Sequence, residues 1–283
     1  GTSAPACDPI LEPLNTPFFF FFLAERPPKE RGMARYDRIG RDYQRKRRAD
    51  PRFIAKIEEA LADCITVLNV GAGTGSYESP DRKVVALEPS ETMIRQRPPE
   101  AAPAVQGEAE RLPFIDQSVD AITAFMTVQH WLDVPRGLRE LRRVARRRVV
   151  IMTYLPGTGM FPDRWITNVY FPGIAAAHRR RMPDLSFFES ALGAVTCVPL
   201  LIPRDCTDGF IDAFWARPEV YLDPAVRGSM SAFQLLNPLE LVQGIAQLRA
   251  DLKQGQWDAQ FGKLRAQNEM DAGLRLVVAR LDE

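Results

Sequence analysis

The chain has only two histidines and four cysteines among its 283 residues, and neither type clusters. Cys7, Cys64, Cys197 and Cys206 show no CxxC or zinc-ligand spacing, which argues against a disulfide framework or a metal site and for a reducing compartment. An excess of one charge sign is also missing. Thirty-seven basic residues face 36 acidic ones, a net charge of +1, so the bulk positive field of a dedicated nucleic-acid binder is absent. Long apolar runs are lacking too. The one membrane-like stretch, PFFFFFLA at 17–24, is too short to span a bilayer and has no basic region before it, as a signal peptide would. These absences leave a cytoplasmic protein acting on small or neutral molecules as the expectation.

Residues 1–32 are proline-rich and follow no helical or strand period. They are expected to be a disordered or non-native extension, with the organised chain starting near Met33. Tyr36, Ile39, Gly40, Tyr43 and Arg47 then recur at helical spacing, so two rings and a guanidinium share one stripe. That stripe fits either a helix packed on the core or one that covers a cofactor cleft. Apolar runs follow at 65–70, 83–88, 103–106, 119–126 and 148–155, with the clearest helices starting near Ser90 and Val134. Strands alternating with helices predict an α/β class with a doubly wound parallel sheet, whose ligands bind at the carboxyl ends of the strands. The loops after 70, 88, 106 and 126 are therefore the candidate site. Beyond Pro156 an aromatic-rich helical stretch, Phe161 to Arg181, leads to CVPLLIP at 197–203. Helices over about 207–268 and a final strand, LRLVVARL, complete the chain, and those helices read as an insertion able to form a cap.

The most informative stretch is VLNVGAGTGSYESPDRKVVALEPS, residues 67–90. Glycines after a buried strand let the backbone approach a ligand closely. The dinucleotide fingerprint GxGxxG would place its third glycine at 76, but that residue is Ser76, and Gly75 comes one place early. GxGxG followed by an acid at the end of the next strand, Glu88, is instead the pattern of class I S-adenosylmethionine-dependent methyltransferases. Glu88 can accept hydrogen bonds from ribose hydroxyls, or serve only as a cap or ion-pair partner. The link SYESPDR contains Pro80 and has room for about one or two helical turns. It predicts a crossover helix cut to a stub or loop, with the exposed flank covered by the Tyr36–Arg47 helix.

Residues 33–155 resemble the methyltransferase core of the ubiquinone and menaquinone C-methylases. The resemblance rests on VLNVGAGTG, VVALEPS, GEAERLPFIDQSVDAITAFMTVQHW and LRELRRVARRRVVIMTYLP, in that order. From Tyr154 on, YFPGIAAAHRRRMPDL, IPRDCTDGFIDAFWARPEVYLDPAVR and LRLVVARLDE are similar to a bacterial subgroup of small-molecule methyltransferases, some linked to antibiotic biosynthesis. The resemblance implies a Rossmann-like, seven-stranded, mostly parallel sheet with an antiparallel last strand, and a helical insertion in the C-terminal half. Residues 33–160 would form the cofactor-binding core, and residues 161–283 the substrate-side helices, the insertion and the last strands of the same sheet. The implied cofactor is S-adenosylmethionine, with S-adenosylhomocysteine as product. Gly71, Ala72, Gly73 and Gly75 would line its methionine part, and Glu88 with Pro89 its ribose. Met93, Glu108 and Ala109 would sit by the adenine, and Met126 would complete the set. Many relatives have aspartate at the position of Glu108. Tyr36, Tyr43 and Arg47 match an N-terminal pattern of the subgroup, where an arginine can pair with the cofactor carboxylate.

FMTVQHW, after the fourth strand, lies where an acceptor would meet the methyl group. His130 is either a base or orienting group there, or a structural histidine. Trp131, Tyr154, Trp165 and Tyr170 are candidate acceptor-side residues, with core packing as the alternative, as for Phe171, Phe214, Trp215 and Tyr221. Asp205, Cys206 and Asp208 in RDCTDGF either touch substrate or, at Thr207 or Asp208, cap a following helix. No Asn-Pro-Pro-Tyr-like stretch follows the fourth strand, which disfavours methylation of a flipped base. No carboxylate cluster suggests a divalent metal. The arginine runs at 45–48 and 142–148 read as solvated faces rather than as an RNA contact. The expected activity is methyl transfer to a small, aromatic or hydrophobic metabolite. A non-catalytic S-adenosylmethionine-binding protein is the alternative, ahead of an RNA methyltransferase or a nicotinamide-dependent oxidoreductase.

Overall fold

The computed structural model describes residues 48–158 and 164–281. The extension at 1–32 and the Tyr36–Arg47 stripe lie outside the described residues. Four apolar runs become β1 (Thr66–Val70), β2 (Lys83–Glu88), β3 (Ala104–Gln106) and β4 (Val119–Phe125). A fifth, β5 (Ala145–Tyr154), begins three residues before the expected 148, inside the arginine run. Its charges are matched where they emerge, Arg146 by Asp120 at 2.6 Å and Arg147 by Asp63 at 2.9 Å. Two further sheet strands, β6 (Val195–Pro199) and β9 (Leu274–Arg280), come late in the chain. The seven strands lie in the order β3-β2-β1-β4-β5-β9-β6. All pair in parallel except β9, which runs antiparallel to both β5 and β6. The sheet is thus the doubly wound, seven-stranded form with a reversed last strand that the resemblance implied.

Helices form where caps and apolar spacing coincide. In α1 (Pro51–Leu61) the side chain of Asp50 accepts the amide of Arg52, and Pro51 starts the first turn. Phe53, Ile57 and Leu61, four residues apart, form its buried stripe. The Ser90 hydroxyl caps α2 (Glu91–Arg95) by accepting from Met93, and Asp133 caps α3 (Val134–Val144) in the same way. The buried face of α3 is Leu138, Leu141 and Val144. Between β1 and β2 residues 71–82 run as successive turns, with no helix among these described residues. The stub expected from Pro80 is therefore present as a loop.

After β5 come a π-helical turn (Ile166–Tyr170), α4 (Pro172–Arg181) and α5 (Leu185–Leu192). The insertion follows β6 and is closed at its neck by two two-residue strands, β7 (Ile202–Pro203) and β8 (Glu269–Met270), paired through Ile202 and Met270. Helices were expected from 207, but residues 207–217 are turns, and helical structure starts with the 3-10 turn Pro218–Leu222. Two causes act together. The carboxylates of Asp208 and Asp212 are engaged in buried hydrogen bonds outside any helical ladder. Pro218 also disfavours helical geometry at Arg217, which has φ −129°. Short α6 (Pro224–Gly228), then α7 (Pro238–Gln254) and α8 (Gln256–Phe261), fill the rest. Among the described residues no helix is long and apolar enough to cross a membrane.

The late aromatic residues form the core of this half. Trp165 meets Tyr170, Tyr221 and Trp257 edge-on, with centroids 5.7, 5.7 and 5.2 Å apart. Such edge-to-face pairs add to the stabilisation from burial itself. Phe171, Trp215 and Tyr221 are likewise buried, and Phe171 packs on Phe233 at 4.9 Å.

Candidate functional site

The site lies over the carboxyl ends of β1, β2 and β4. At the end of β1 the chain folds across β2, because the amides of Gly71 and Ala72 both donate to the Leu87 carbonyl, at 2.8 and 3.1 Å. Gly71, Gly73 and Gly75 all have positive φ, +69°, +54° and +90°, a region that glycine enters without a Cβ penalty. Their crowding differs. A Cβ on Gly71 would overlap the Thr127 side chain at the end of β4, so the Cβ side of this glycine is filled by a protein neighbour. A Cβ on Gly73 would meet only the Met93 methyl, at 3.3 Å.

Glu88 closes the loop. Its carboxylate is 4% exposed; Oε2 accepts the Gly73 amide at 2.8 Å and Oε1 the Ser90 amide at 2.9 Å. Each carboxylate oxygen has two acceptor sites, so these bonds are compatible with a further acceptor role. Met93 and Ala109 are buried beside this edge, and Pro89 is half-buried, its carbonyl accepting from Gln106. Glu108 is exposed. Met126, at φ +53°, turns the chain out of β4, with its amide on the Met152 carbonyl at 2.8 Å. The glycine loop, Glu88, Met93 and the Met126–Thr127 corner are thus gathered at one edge. Tyr36, Tyr43 and Arg47 lie outside the described residues.

The flank left open by the missing crossover helix has its own support. Glu78 and Arg97, both nearly buried, form an ion pair at 2.6 Å. Arg97 also donates to the carbonyls of Gly73 (3.1 Å) and Ala102 (2.8 Å). Asn69, inside β1, donates to Glu78 at 3.2 Å and accepts from Thr123 of β4 at 3.2 Å. Further out, the Tyr77 hydroxyl donates to the fully buried Asp208 of the insertion at 2.7 Å, and the Tyr77 ring meets Phe125 edge-on. Asp208 caps no helix; its other oxygen takes the amide of Gly209 at 2.7 Å. Asp205 is exposed and pairs with Arg52, while Asp50 accepts from both Arg52 and the Thr207 amide. Sequence reasoning missed Asn69, Tyr77, Glu78 and Arg97. Their pairing spans 9 to 131 residues, and no local motif marks it.

After β4, His130 ends the 3-10 turn Val128–His130 and is half-buried. Trp131 packs on α3, where a Cβ at Gly137 would come within 2.5 Å of its ring. The expected wall residues Tyr154, Trp165 and Tyr170 are committed elsewhere. Tyr154 donates to Asp212 at 2.5 Å, Trp165 to the Trp215 carbonyl at 2.9 Å and Tyr170 to Asp251 at 2.8 Å. All three are buried, with core packing as the alternative the sequence also left open: burying a polar group demands a partner, and the insertion supplies each one. Burial, followed by the Asp212 carboxylate, raises the Tyr154 phenol well above its ordinary range. Arg164 pairs with Asp212, lies 4.8 Å over the Tyr154 ring and approaches His178 Nδ1 at 3.4 Å. Burial first, then the charges of Arg164 and His130, pushes the His178 imidazole down to about 3. Among the described residues no group of three or more His, Cys, Asp or Glu is placed to hold a metal ion.

Residues 68–153 match a family model described as a methyltransferase domain. Over 108 residues the chain is 37% identical to the biotin biosynthesis bifunctional protein of Cellvibrio japonicus, covering 35% of this chain and 22% of that protein. Over 145 residues it is 30% identical to the demethylmenaquinone methyltransferase of Thermotoga maritima, covering 45% of this chain and 63% of the relative. The chain thus spans about a fifth of the first curated relative and under two thirds of the second. A crystal structure of a protein from Anabaena variabilis, assigned as a methyltransferase of an antibiotic biosynthesis pathway, superposes with TM-score 0.76 at 29% identity, over 83% of this chain and 98% of that one.

Proposed function

Because residues 68–153 match a methyltransferase domain, we propose that the chain transfers the methyl group of S-adenosylmethionine to a small hydrophobic acceptor. The observation that carries this reading is the geometry at Gly73. A glycine with positive φ, faced by the flexible end of Met93, is held by a buried strand-end carboxylate. That donor set suits a zwitterionic nucleoside: close backbone approach for its amino-acid part, a carboxylate for its ribose and apolar contact for its base.

In this reading Gly71, Ala72, Gly73 and Gly75 hold the methionine part, Glu88 and Pro89 face the ribose, and Met93, Ala109 and Glu108 border the adenine. Tyr36, Tyr43 and Arg47 remain part of the proposed cofactor set, and Met126 borders the reacting end. The cofactor supplies a sulfonium methyl group, which passes in line to the acceptor atom while the breaking bond's electron pair stays on sulfur. The chain's residues then align the acceptor, exclude water and take up any proton the acceptor releases. In this reading His130, which ends the 3-10 turn after β4, takes that proton or orients the acceptor. A hydrophobic acceptor accords with the half-buried Phe125 and Met126 at the same edge.

Titration calorimetry with S-adenosylhomocysteine and with NAD tests the cofactor. Binding of NAD alone would overturn the reading. Transfer from labelled S-adenosylmethionine is then assayed with demethylmenaquinone and malonyl acyl-carrier protein, the acceptors named for relatives, and with a metabolite panel. The burial of Tyr154, Trp165 and Tyr170 favours one second reading, a cofactor-binding protein whose acceptor side is closed. Binding without transfer to any acceptor would select it.

A further inference from the structure

The link between β1 and β2 is too short and too turn-rich for a crossover helix, and this removes something the cofactor loop needs. In a helix continuing from the loop, each carbonyl accepts the amide four residues later, which fixes the orientation of the first peptides. Gly73 at φ +54° cannot enter that ladder. Its carbonyl accepts from Nη1 of Arg97 at 3.1 Å, a residue 24 positions away on the connection to β3.

The guanidinium is well placed to do this. Its Nη2 reaches both Glu78 oxygens, at 2.7 and 2.6 Å, and the Ala102 carbonyl at 2.8 Å. Glu78 is fixed in turn by Asn69 inside β1 and by the Ala102 amide at 3.0 Å. The fork is therefore anchored through Glu78 to Asn69 of the sheet, both terminal nitrogens lie against Gly75, and Nη1 makes the bond to the Gly73 carbonyl. On its other face the same glycine gives its amide to Glu88. Gly73 is gripped at N–H by a carboxylate and at C=O by a guanidinium, both charge-assisted bonds. Because Glu78 neutralises Arg97, the grip supplies orientation rather than field.

We propose that Arg97, anchored by Glu78, is a positioning residue for cofactor binding, replacing the missing first turn of the crossover helix by holding the Gly73 peptide in its binding orientation. The inference rests on the glycine loop being the S-adenosylmethionine site.

The test uses the full chain and S-adenosylhomocysteine as probe, with wild-type binding measured first. If the wild type does not bind, the proposed function fails and not the role of Arg97. The informative variant is Arg97→Lys. An ammonium keeps the charge paired with Glu78, so the fold survives, but it lacks the planar fork that reaches Gly73, Ala102 and Glu78 together. Expected are a cooperative transition with a modestly lowered midpoint, binding about tenfold weaker, the size of one charge-assisted hydrogen bond, and faster deuterium exchange at residues 72–75 without cofactor. Glu78→Gln/Arg97→Met, which removes both charges together, should bind as weakly or more so. Arg97→Lys binding within twofold of wild type with unaltered exchange would overturn the proposal. A lowered thermal midpoint with unchanged affinity would do the same, since that is the mark of a purely structural pair.

Discussion

The main-chain amide of Gly73 donates to Oε2 of Glu88 at 2.8 Å, joining the loop after β1 to the end of β2. Since the other oxygen of Glu88 takes the Ser90 amide that opens α2, one buried side chain sets two backbone segments. Glu88→Ala would leave both amides without this acceptor, at about 1–3 kcal/mol each for a buried unsatisfied group. Urea unfolding should show a loss of about 2–6 kcal/mol, and calorimetry a loss of S-adenosylhomocysteine binding beyond tenfold. Glu88→Gln, which keeps one acceptor oxygen, should lose less in both measurements.

Two glycines with similar positive φ should respond differently to alanine. At Gly157, φ +80°, an added Cβ meets nothing within 4 Å, so Gly157→Ala should cost only the backbone term of about 1–2 kcal/mol. At Gly71, φ +69°, the Cβ overlaps Thr127, adding about 1–3 kcal/mol of overpacking. Parallel thermal melts of the two variants check the ranking.

Tyr77 and Asp208 couple the glycine loop to the insertion. Tyr77→Phe removes the hydroxyl from a fully buried carboxylate and should destabilise by about 1–2 kcal/mol. A double-mutant cycle with Asp208→Asn should give a coupling of about 1 kcal/mol or more. Deuterium exchange in Tyr77→Phe should rise at residues 75–78 and 205–209 together. A rise on one side alone would show that the two segments are held independently.

His178 makes the protein acid-sensitive. Its imidazole is pushed down to about 3 by burial, Arg164 and His130, against an ordinary 6.5. Between these values the unfolded chain binds a proton that the folded chain does not, so stability is full above about pH 6.5 and falls as pH drops towards 3. The limiting slope is about 1.4 kcal/mol per pH unit. His178→Gln, which cannot titrate, should flatten the stability profile from pH 6.5 to 4, measured by urea unfolding at each pH.

Much of the cofactor half was legible because its signals are local. Apolar runs gave β1 to β5 within three residues, Ser90 marked the start of α2, and Pro80 foretold the loop at 71–82. The C-terminal half was less so. The spacing of FIDAFWARP looks helical, but Asp212 is drawn into a buried cluster with Tyr154 and Arg164 and the segment turns instead. Whether Trp165 or Tyr170 lines a pocket or a core depends on partners 50 and 81 residues away, which no periodicity records. Arg97 escaped notice for the same reason: its role exists only once Gly73 is folded against it.

The β7–β8 ladder brings Ile202 and Met270 side by side, so the chain leaves and re-enters the sheet side through one narrow gate. Ends already joined make the entropy of whatever lies between them depend weakly on its length, about 0.6 kcal/mol for each doubling. The insertion can therefore be lengthened, trimmed or exchanged while the register of the parallel strands stands. Several fastenings join the insertion to the rest of the chain, among them Asp50 to Thr207 and Tyr154 to Asp212, and Tyr77 to Asp208 is the one that reaches the glycine loop. Any graft of a foreign segment at this neck would have to reproduce that one for the glycine loop to sense what has been attached.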